Sequence, residues 1–248
     1  MIQKDILLNM DSFKSELKEF KINIEDKQLY QFYQYYELLI EWNSFMNLTA
    51  ITEFDDVLKK NFIDSVSLVK AVPELSKKSY YLIDIGTGAG FPGIPLKIVF
   101  PNLKITLLDS LNKRVKFLNE VVNKLELSDI TIIHGRAEDF ARPDQLRESF
   151  DICVSRAVAN LTVLSEYCIP YVKKEGYFIS YKSEKITEEF NDAKIAINIL
   201  GGKLERQIEF ILPNSDIYRN LFIIKKEKST PLKFPRKSGI PSKEPLMK

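Results

Sequence analysis

From residue 80 onward, short apolar runs alternate with amphipathic stretches. The runs at 81–85, 104–108, 130–133, 150–154 and 176–181 are nearly continuous, the pattern of strands buried on both faces. Segments of helical period lie between them. The clearest spans 112–125, with Val115, Leu118, Val122 and Leu125 on one face and Lys113, Arg114 and Lys116 off it. Another spans 187–200 and is closed by Gly201-Gly202. This alternation predicts an α/β fold, a doubly wound parallel sheet with helices on both faces. Two further runs, Arg206 to Leu212 and Tyr218 to Lys225, follow with no helix between them. They are joined by Pro213-Asn214-Ser215-Asp216, which predicts an antiparallel hairpin at the end of the sheet.

Ahead of the sheet, residues 1–79 read as helical. From Leu29, apolar residues recur at Phe32, Tyr33, Tyr36, Leu39, Ile40 and Phe45, next to the sole tryptophan, Trp42. This aromatic stripe is read as core rather than as a platform for nucleic acid. Thr52 is the expected N-cap of a helix starting near Glu53, with Asp55 and Asp56 in its first turn, and the pattern from Lys59 to Val72 stops at Pro73. After residue 228 the periodicity ends. Pro231, Pro235, Pro241 and Pro245 rule out a long strand or helix there. The expected organisation is a helical extension (1–79), a sheet domain (80–228) and a basic Pro-rich tail (229–248) packed near the site.

One loop carries the clearest chemistry. The strand at 81–85 breaks into Gly86, Gly88, Gly90 and Gly93, four of the chain's nine glycines. A helix from Ile94 to Phe100 follows, with Pro95 tolerated in its first turn. Strand, glycine loop and helix bring backbone N–H groups to face a ligand. The dinucleotide spacing G-x-G-x-x-G fails, because the third glycine's place is taken by Phe91. The pattern is instead Asp84-x-Gly86-x-Gly88-x-Gly90. Asp109 ends the next strand, about twenty residues on, where a carboxylate accepts hydrogen bonds from ribose hydroxyls. The bland alternative is a tight strand-to-helix turn with no ligand.

Composition narrows the picture modestly. At 248 residues and 45% apolar, the chain can hold one full core, and a net charge of +2 says little about partners. The distribution says more: residues 225–248 carry eight Lys and Arg against two Asp and Glu, which makes the tail a candidate for phosphate contact. No apolar run reaches membrane-spanning length, and Met1 to Asp5 lacks a signal-peptide layout. Cys153 and Cys168 sit in apolar segments and read as reduced, buried thiols. The only histidine, His134, ends a predicted strand, and no metal-ligating cluster accompanies it. A cytoplasmic location is expected.

Several stretches together resemble the RsmG (GidB) methyltransferases, which modify N7 of a guanosine in bacterial small-subunit (16S) ribosomal RNA. They are Trp42-Asn43 with Asn47 to Ile51, Asp64-Ser65, Asp84 to Pro95, Leu108-Asp109-Ser110 with Lys113-Arg114, and Gly135 to Glu138. Ser155-Arg156-Ala157-Val158-Ala159 and Phe234-Pro235-Arg236-Lys237 with Gly239 and Pro241 complete the match. It departs in two places: Asn61 stands where the family often has His, and Lys182-Ser183 where it usually reads Lys-Gly. The resemblance implies a class I fold and S-adenosylmethionine (SAM) as methyl donor. It implies a cofactor site of Asp84, Gly86, Gly88, Gly90, Phe91, Asp109, Ser110, Ala137, Glu138 and Arg156. Gly86 and Phe91 would line that site, Ala137 and Glu138 would meet the adenine, and Arg156 is the candidate catalytic group. The alternative for Arg156 is a structural salt bridge.

Guanine N7 has a free lone pair, so positioning and electrostatics suffice without a general base. Lys113, Arg114, Lys182, Arg219, Arg236 and Lys237 are the expected phosphate contacts. The expected partner is small-subunit ribosomal RNA or the ribosomal particle, with no membrane, no metal and a monomeric protein. Two rivals remain open: a methyltransferase of the same fold acting on a small molecule or protein, and a nucleotide- or RNA-binding module without turnover. A nicotinamide dehydrogenase stands further off, because Phe91 breaks its fingerprint.

Overall fold

The computed structural model describes residues 10–156, 159–183 and 187–247. Two positions of the Ser155-to-Ala159 stretch, 157 and 158, lie outside the described residues, as do the N-terminal segment 1–9 and Lys248.

Seven strands form one sheet: β1 (Tyr81–Ile85), β2 (Lys104–Asp109), β3 (Ile130–His134), β4 (Phe150–Arg156), β5 (Val172–Lys182), β6 (Gly202–Ile211) and β7 (Tyr218–Lys226). Their order is β3-β2-β1-β4-β5-β7-β6. The first five run parallel, and β7 inserts antiparallel between β5 and β6. The predicted sheet and hairpin are both present, and β5 starts earlier than its apolar run because Val172 already pairs with Phe150. Strand order reverses between β1 and β4, so the crevice at their carboxyl ends is where a doubly wound sheet binds its ligand.

The N-terminal helices share the sheet's core. Helix α1 (Asp11–Glu19) and helix α2 (Asp26–Met46) bury Phe13, Leu17, Phe32 and Tyr35 in one cluster with Leu82, Ile94, Leu107 and Ile179. Phe13 meets Phe32 edge-on at 5.0 Å, and Tyr35 stacks on Phe62 at 5.2 Å, geometries that favour aromatic pairs. The α2 face differs from the predicted one: Leu29, Phe32, Tyr35, Leu38 and Leu39 are buried, while Phe45 is 64% exposed. Tyr35 wins a core place because its hydroxyl donates to the Ala89 carbonyl in the glycine loop. The stop of α2 is built by Asn43, whose Oδ1 accepts the N–H groups of Leu48 and Thr49 at 2.6 and 2.9 Å, with Asn47 left-handed at φ 52°.

The next helical segment, α3 (54–70), changes pitch three times. Phe54–Val57 is α-helical, Leu58–Ile63 is π-helical, Asp64–Val66 returns to α, and Ser67–Lys70 tightens to 3₁₀. Glu53, not Thr52, occupies its N-cap. The Thr52 carbonyl instead accepts the Tyr36 hydroxyl at 3.3 Å. The helices after β1 and β2 are α4 (Gly93–Val99) and α5 (Asn112–Lys124). In α5 the buried stripe is Phe117, Leu118 and Val121, continued by Leu125; Val115 and Val122 are half-buried, so the face is turned by about one position from the predicted one.

A second core lies on the sheet's other face, under α6 (Ala137–Phe140), α7 (Leu161–Cys168) and α8 (Thr187–Ile199). The tail crosses this side and is tied down. Arg147 donates to the Phe234 carbonyl at 2.7 Å, Thr230 N–H donates to Glu148 at 2.8 Å, and Phe234 is buried.

Candidate active site

Two clefts open side by side at the carboxyl ends of the parallel strands. The first, about 440 Å³, is lined by the glycine loop from Gly86 to Ala89, by Leu48, Thr49 and Phe91, and by Asp109, Ser110 and Arg114. The second, about 520 Å³, is lined by Ile51, Lys60, Asp64, Tyr181, Lys182, Ser183, Glu189 and Arg219. Asn61 and Arg156 border both.

The first cleft is made mostly of backbone held by buried carboxylates. Asp84 Oδ2 accepts the Thr87 hydroxyl at 2.7 Å and the Gly93 N–H at 2.9 Å. Asp109 accepts the Gly88 N–H and the Leu111 N–H, both at 2.9 Å, with the Arg114 guanidinium 3.4 Å away. Between them the loop cannot drift. Gly90 combines a positive φ of 98° with crowding: a Cβ there would stand 2.5 Å from Ile94 Cδ1 and 2.6 Å from the Tyr35 hydroxyl. At Gly88 (φ 62°) an added Cβ would meet nothing closer than 4.0 Å, so that glycine serves backbone conformation and cleft space rather than packing. Burial pushes the Asp84 carboxyl up to about 7, against the opposing hydrogen bonds from Thr87 and Gly93.

The second cleft is made of side chains from distant segments. Arg156 Nη1 donates to Asp64 Oδ2 and to the Lys60 carbonyl, each at 3.0 Å, and Nη2 donates to Asn61 Oδ1 at 3.0 Å. Arg219 Nε reaches the other oxygen of Asp64 at 2.9 Å. One carboxylate therefore bridges two guanidinium groups, from β4 and β7. The Arg156 guanidinium also lies 5.0 Å from the Phe91 ring centre, which ties this cluster to the glycine loop. Lys182 Nζ is 2.6 Å from Glu189. The π-helical turn in α3 aims Lys60 and Asn61 at Arg156 together; such turns recur at functional sites.

The structure gathers Gly86, Gly88, Phe91, Asp109, Ser110 and Arg156 at the first cleft, and Lys182, Arg219 and Arg156 at the second. Other expected residues lie elsewhere. Asp84 is fully buried beneath the loop and Gly90 turns inward. Ala137 and Glu138 do not line the first cleft; Glu138 is buried and accepts the Gly239 N–H at 2.8 Å. Arg114 lines the first cleft beside Asp109, and Lys113 donates to the Met46 carbonyl at 2.9 Å. Arg236 differs most from expectation: its guanidinium grips Glu166, which is almost wholly buried, at 2.7 to 3.2 Å. A buried carboxylate demands that partner, so the ion pair anchors the tail. Lys237 remains exposed. The sequence reading missed Lys60, Tyr181, Glu189 and the bridging role of Asp64. An acid inside the apolar stretch Phe62-Ile63-Asp64-Ser65-Val66 was the available signal, since a buried charge needs an opposite one.

Fold likeness sets the class. A methyltransferase from Pyrococcus furiosus aligns with a TM-score of 0.50 at 14% identity, covering 77% of this chain and 95% of that one. M. jannaschii TYW2 in complex with AdoMet aligns at 0.50 and 16% identity, covering 65% and 74%. The shared architecture is the class I, Rossmann-like fold of SAM-dependent methyltransferases.

Sequence likeness then sets the family. Residues 28–217 match the family described as GidB, rRNA small subunit methyltransferase G. The ribosomal RNA small subunit methyltransferase G of Lachnoclostridium phytofermentans is 55% identical over 237 residues, covering 96% of this chain and 97% of that protein. That of Lactococcus lactis subsp. cremoris is 48% identical over 236 residues, covering 95% and 98%. The chain belongs to this family. It is a methyltransferase whose methyl donor is SAM. Among the described residues no helix is long and apolar enough to cross a membrane, and no group of His, Cys, Asp and Glu is arranged to hold a metal ion.

Proposed function

We propose that this protein methylates N7 of one specific guanosine in small-subunit (16S) ribosomal RNA. The observation that carries the reading is the pair of adjoining clefts that share Asn61 and Arg156. One has a side-chain-poor glycine backbone that a ligand can approach closely and the strand-end carboxylate suited to an adenosine-bearing ligand; the other has a cationic rim suited to a nucleotide with its phosphates. When bound, SAM supplies an electrophilic methyl group on a sulfonium.

In the first cleft, Gly86, Gly88, Asp109 and Ser110 hold the methyl donor. The Gly88 N–H is already engaged by Asp109, so the cradle is set before a ligand arrives. In the second, Lys60, Lys182 and Arg219 draw in the RNA backbone, and Ile51 and Tyr181 give the base apolar walls. Arg156 sits at the junction, 3.0 Å from the Asp64 carboxylate that it shares with Arg219, and it holds Asn61 and lies over Phe91. Arg156 is therefore a positioning residue. The acceptor nitrogen needs no deprotonation, so the chain's task is to align two ligands and exclude water.

The tail, held through Arg236 and Glu166, supports α7 beside the site and leaves Lys237 free for phosphate contact. The protein acts as a cytoplasmic monomer with the three-part organisation 1–79, 80–228 and 229–248. The test is to incubate it with methyl-labelled SAM and small-subunit RNA from a strain lacking this gene, both deproteinised and as intact subunits. Label at N7 of one guanosine in either form is expected. Label at another atom, or in neither form, would overturn the assignment.

A further inference from the structure

Asn61 holds an unusual position. It is 4% exposed, it borders both clefts, and its Nδ2 is buried with no hydrogen-bond partner. Leaving a buried amide N–H group unpaired is costly, and a native protein keeps such a group where something else will meet it. Its orientation is fixed by chemistry. A guanidinium only donates, so the contact from Arg156 Nη2 at 3.0 Å must fall on the amide oxygen, and the NH₂ end must face away from Arg156. Arg156 is itself held by Asp64 and by the Lys60 carbonyl, so the amide cannot turn over without breaking that cluster.

We infer that Asn61 is a specificity-determining residue that donates from Nδ2 to O6 of the target guanine. This rests on the proposed guanine-N7 function. A base that offers N7 at the junction of the clefts offers the neighbouring atom of the same edge to whatever borders the junction. In guanine both are acceptors, N7 and O6; in adenine N7 is followed by an N6 amino donor. A fixed N–H donor therefore accepts guanine and opposes adenine, donor against donor. Nδ2 is covered, so O6 reaches it through a small shift of the side chains around it. Discrimination by a buried polar group is steep, because the wrong base leaves that group unpaired.

The test is a cycle on the whole protein. Small-subunit RNA is prepared with guanine, hypoxanthine (which keeps O6) or 2-aminopurine (which lacks it) at the target position. Transfer is measured for wild type, Asn61→Ala and Asn61→Asp, together with the dissociation constant for SAM. Asn61→Asp keeps the size and the Arg156 contact, replaces the donor with an acceptor and adds a negative charge beside Asp64, and it guards against a folding artefact in the alanine variant. Wild type should prefer guanine and hypoxanthine over 2-aminopurine by about tenfold to a hundredfold. In the alanine variant that preference should fall to within about threefold with SAM affinity changed by less than about twofold, and in the aspartate variant, where an acceptor opposes O6, the preference should fall at least as far. A preference that survives in the variants would overturn the inference. Loss of SAM affinity with the preference intact would also overturn it, assigning the donor to the methyl donor instead. Absence of N7 transfer by wild type to guanine is a separate result that removes the functional reading and this inference together.

Discussion

The two clefts are built by opposite means. In the first, the ligand-facing groups are largely main chain, and the side chains that matter, Asp84 and Asp109, work from below by accepting loop N–H groups. In the second, long side chains from β4 and β7 meet around Asp64 of α3, and Lys182 of β5 pairs with Glu189. A backbone cradle suits a ligand that is always the same. A rim of cationic side chains suits a polymer that must be gathered, positioned and released. Because Asn61 and Arg156 belong to both, the boundary between the clefts is where the two kinds of construction have to agree.

The comparison is most severely tested at Asp64. Replacing it by alanine leaves two half-buried guanidinium groups without their shared partner, which costs about 3–5 kcal/mol when buried pairs are broken from one side. Asp64→Ala should lower stability by about that much in urea unfolding and cut methyl transfer at least a hundredfold. The Gly88–Asp109 contact, and with it the first cleft, should survive in the folded fraction. Equal loss of SAM affinity and RNA affinity in that fraction would show that the clefts are not separable.

A smaller effect separates the first cleft by its pH dependence. The Asp84 carboxyl is raised from 3.8 to about 7 by burial. Between those values the folded protein holds a proton on this group that the unfolded chain has lost. The stability contributed by the protonated form is whole below about pH 4 and is lost as pH rises through 7. Asp84→Asn should flatten that part of the profile, measured as unfolding free energy from pH 5 to 8. Parallel profiles for the two proteins would contradict the assignment.

The smallest effect is expected at Lys237, which is exposed and lies outside both clefts. Lys237→Ala should leave SAM binding and stability unchanged and make the salt dependence of RNA binding shallower by about 0.7 in log–log slope, one phosphate contact on a single strand. An unchanged slope would take the tail out of the RNA surface.

The same contrast explains what could be read in advance. Part of the first cleft is local in sequence: the glycine loop follows β1 and Asp109 ends the next strand, which spacing could expose, whereas Leu48, Thr49, Asn61 and Arg156 come to it from distant segments. The second cleft is assembled from residues 51 to 219, and no window along the chain contains it. Lys182 and Arg219 were legible only as charges near strand ends. Asp64 was hidden as one acid in a helix, and Arg236 looked like a phosphate ligand because its partner Glu166 lies 70 residues away. The helical faces failed for a related reason. In α2 an aromatic-rich run offers more than one apolar stripe, and the choice fell to Tyr35 through a hydrogen bond to a loop 54 residues distant. The parallel strands and the hairpin, which rest on alternation and turn chemistry, were legible, although β5 and β6 each begin before their apolar runs, at Val172 and Gly202.

The central claim is that the two clefts hold different ligands and meet at Asn61 and Arg156. Its most direct test is to titrate SAM and small-subunit RNA separately against Arg219→Ala, a variant altered only in the second cleft. The account predicts SAM affinity within about twofold of wild type and RNA affinity reduced about tenfold, the loss of a charge-assisted contact. Weakened SAM binding with RNA binding intact would contradict it.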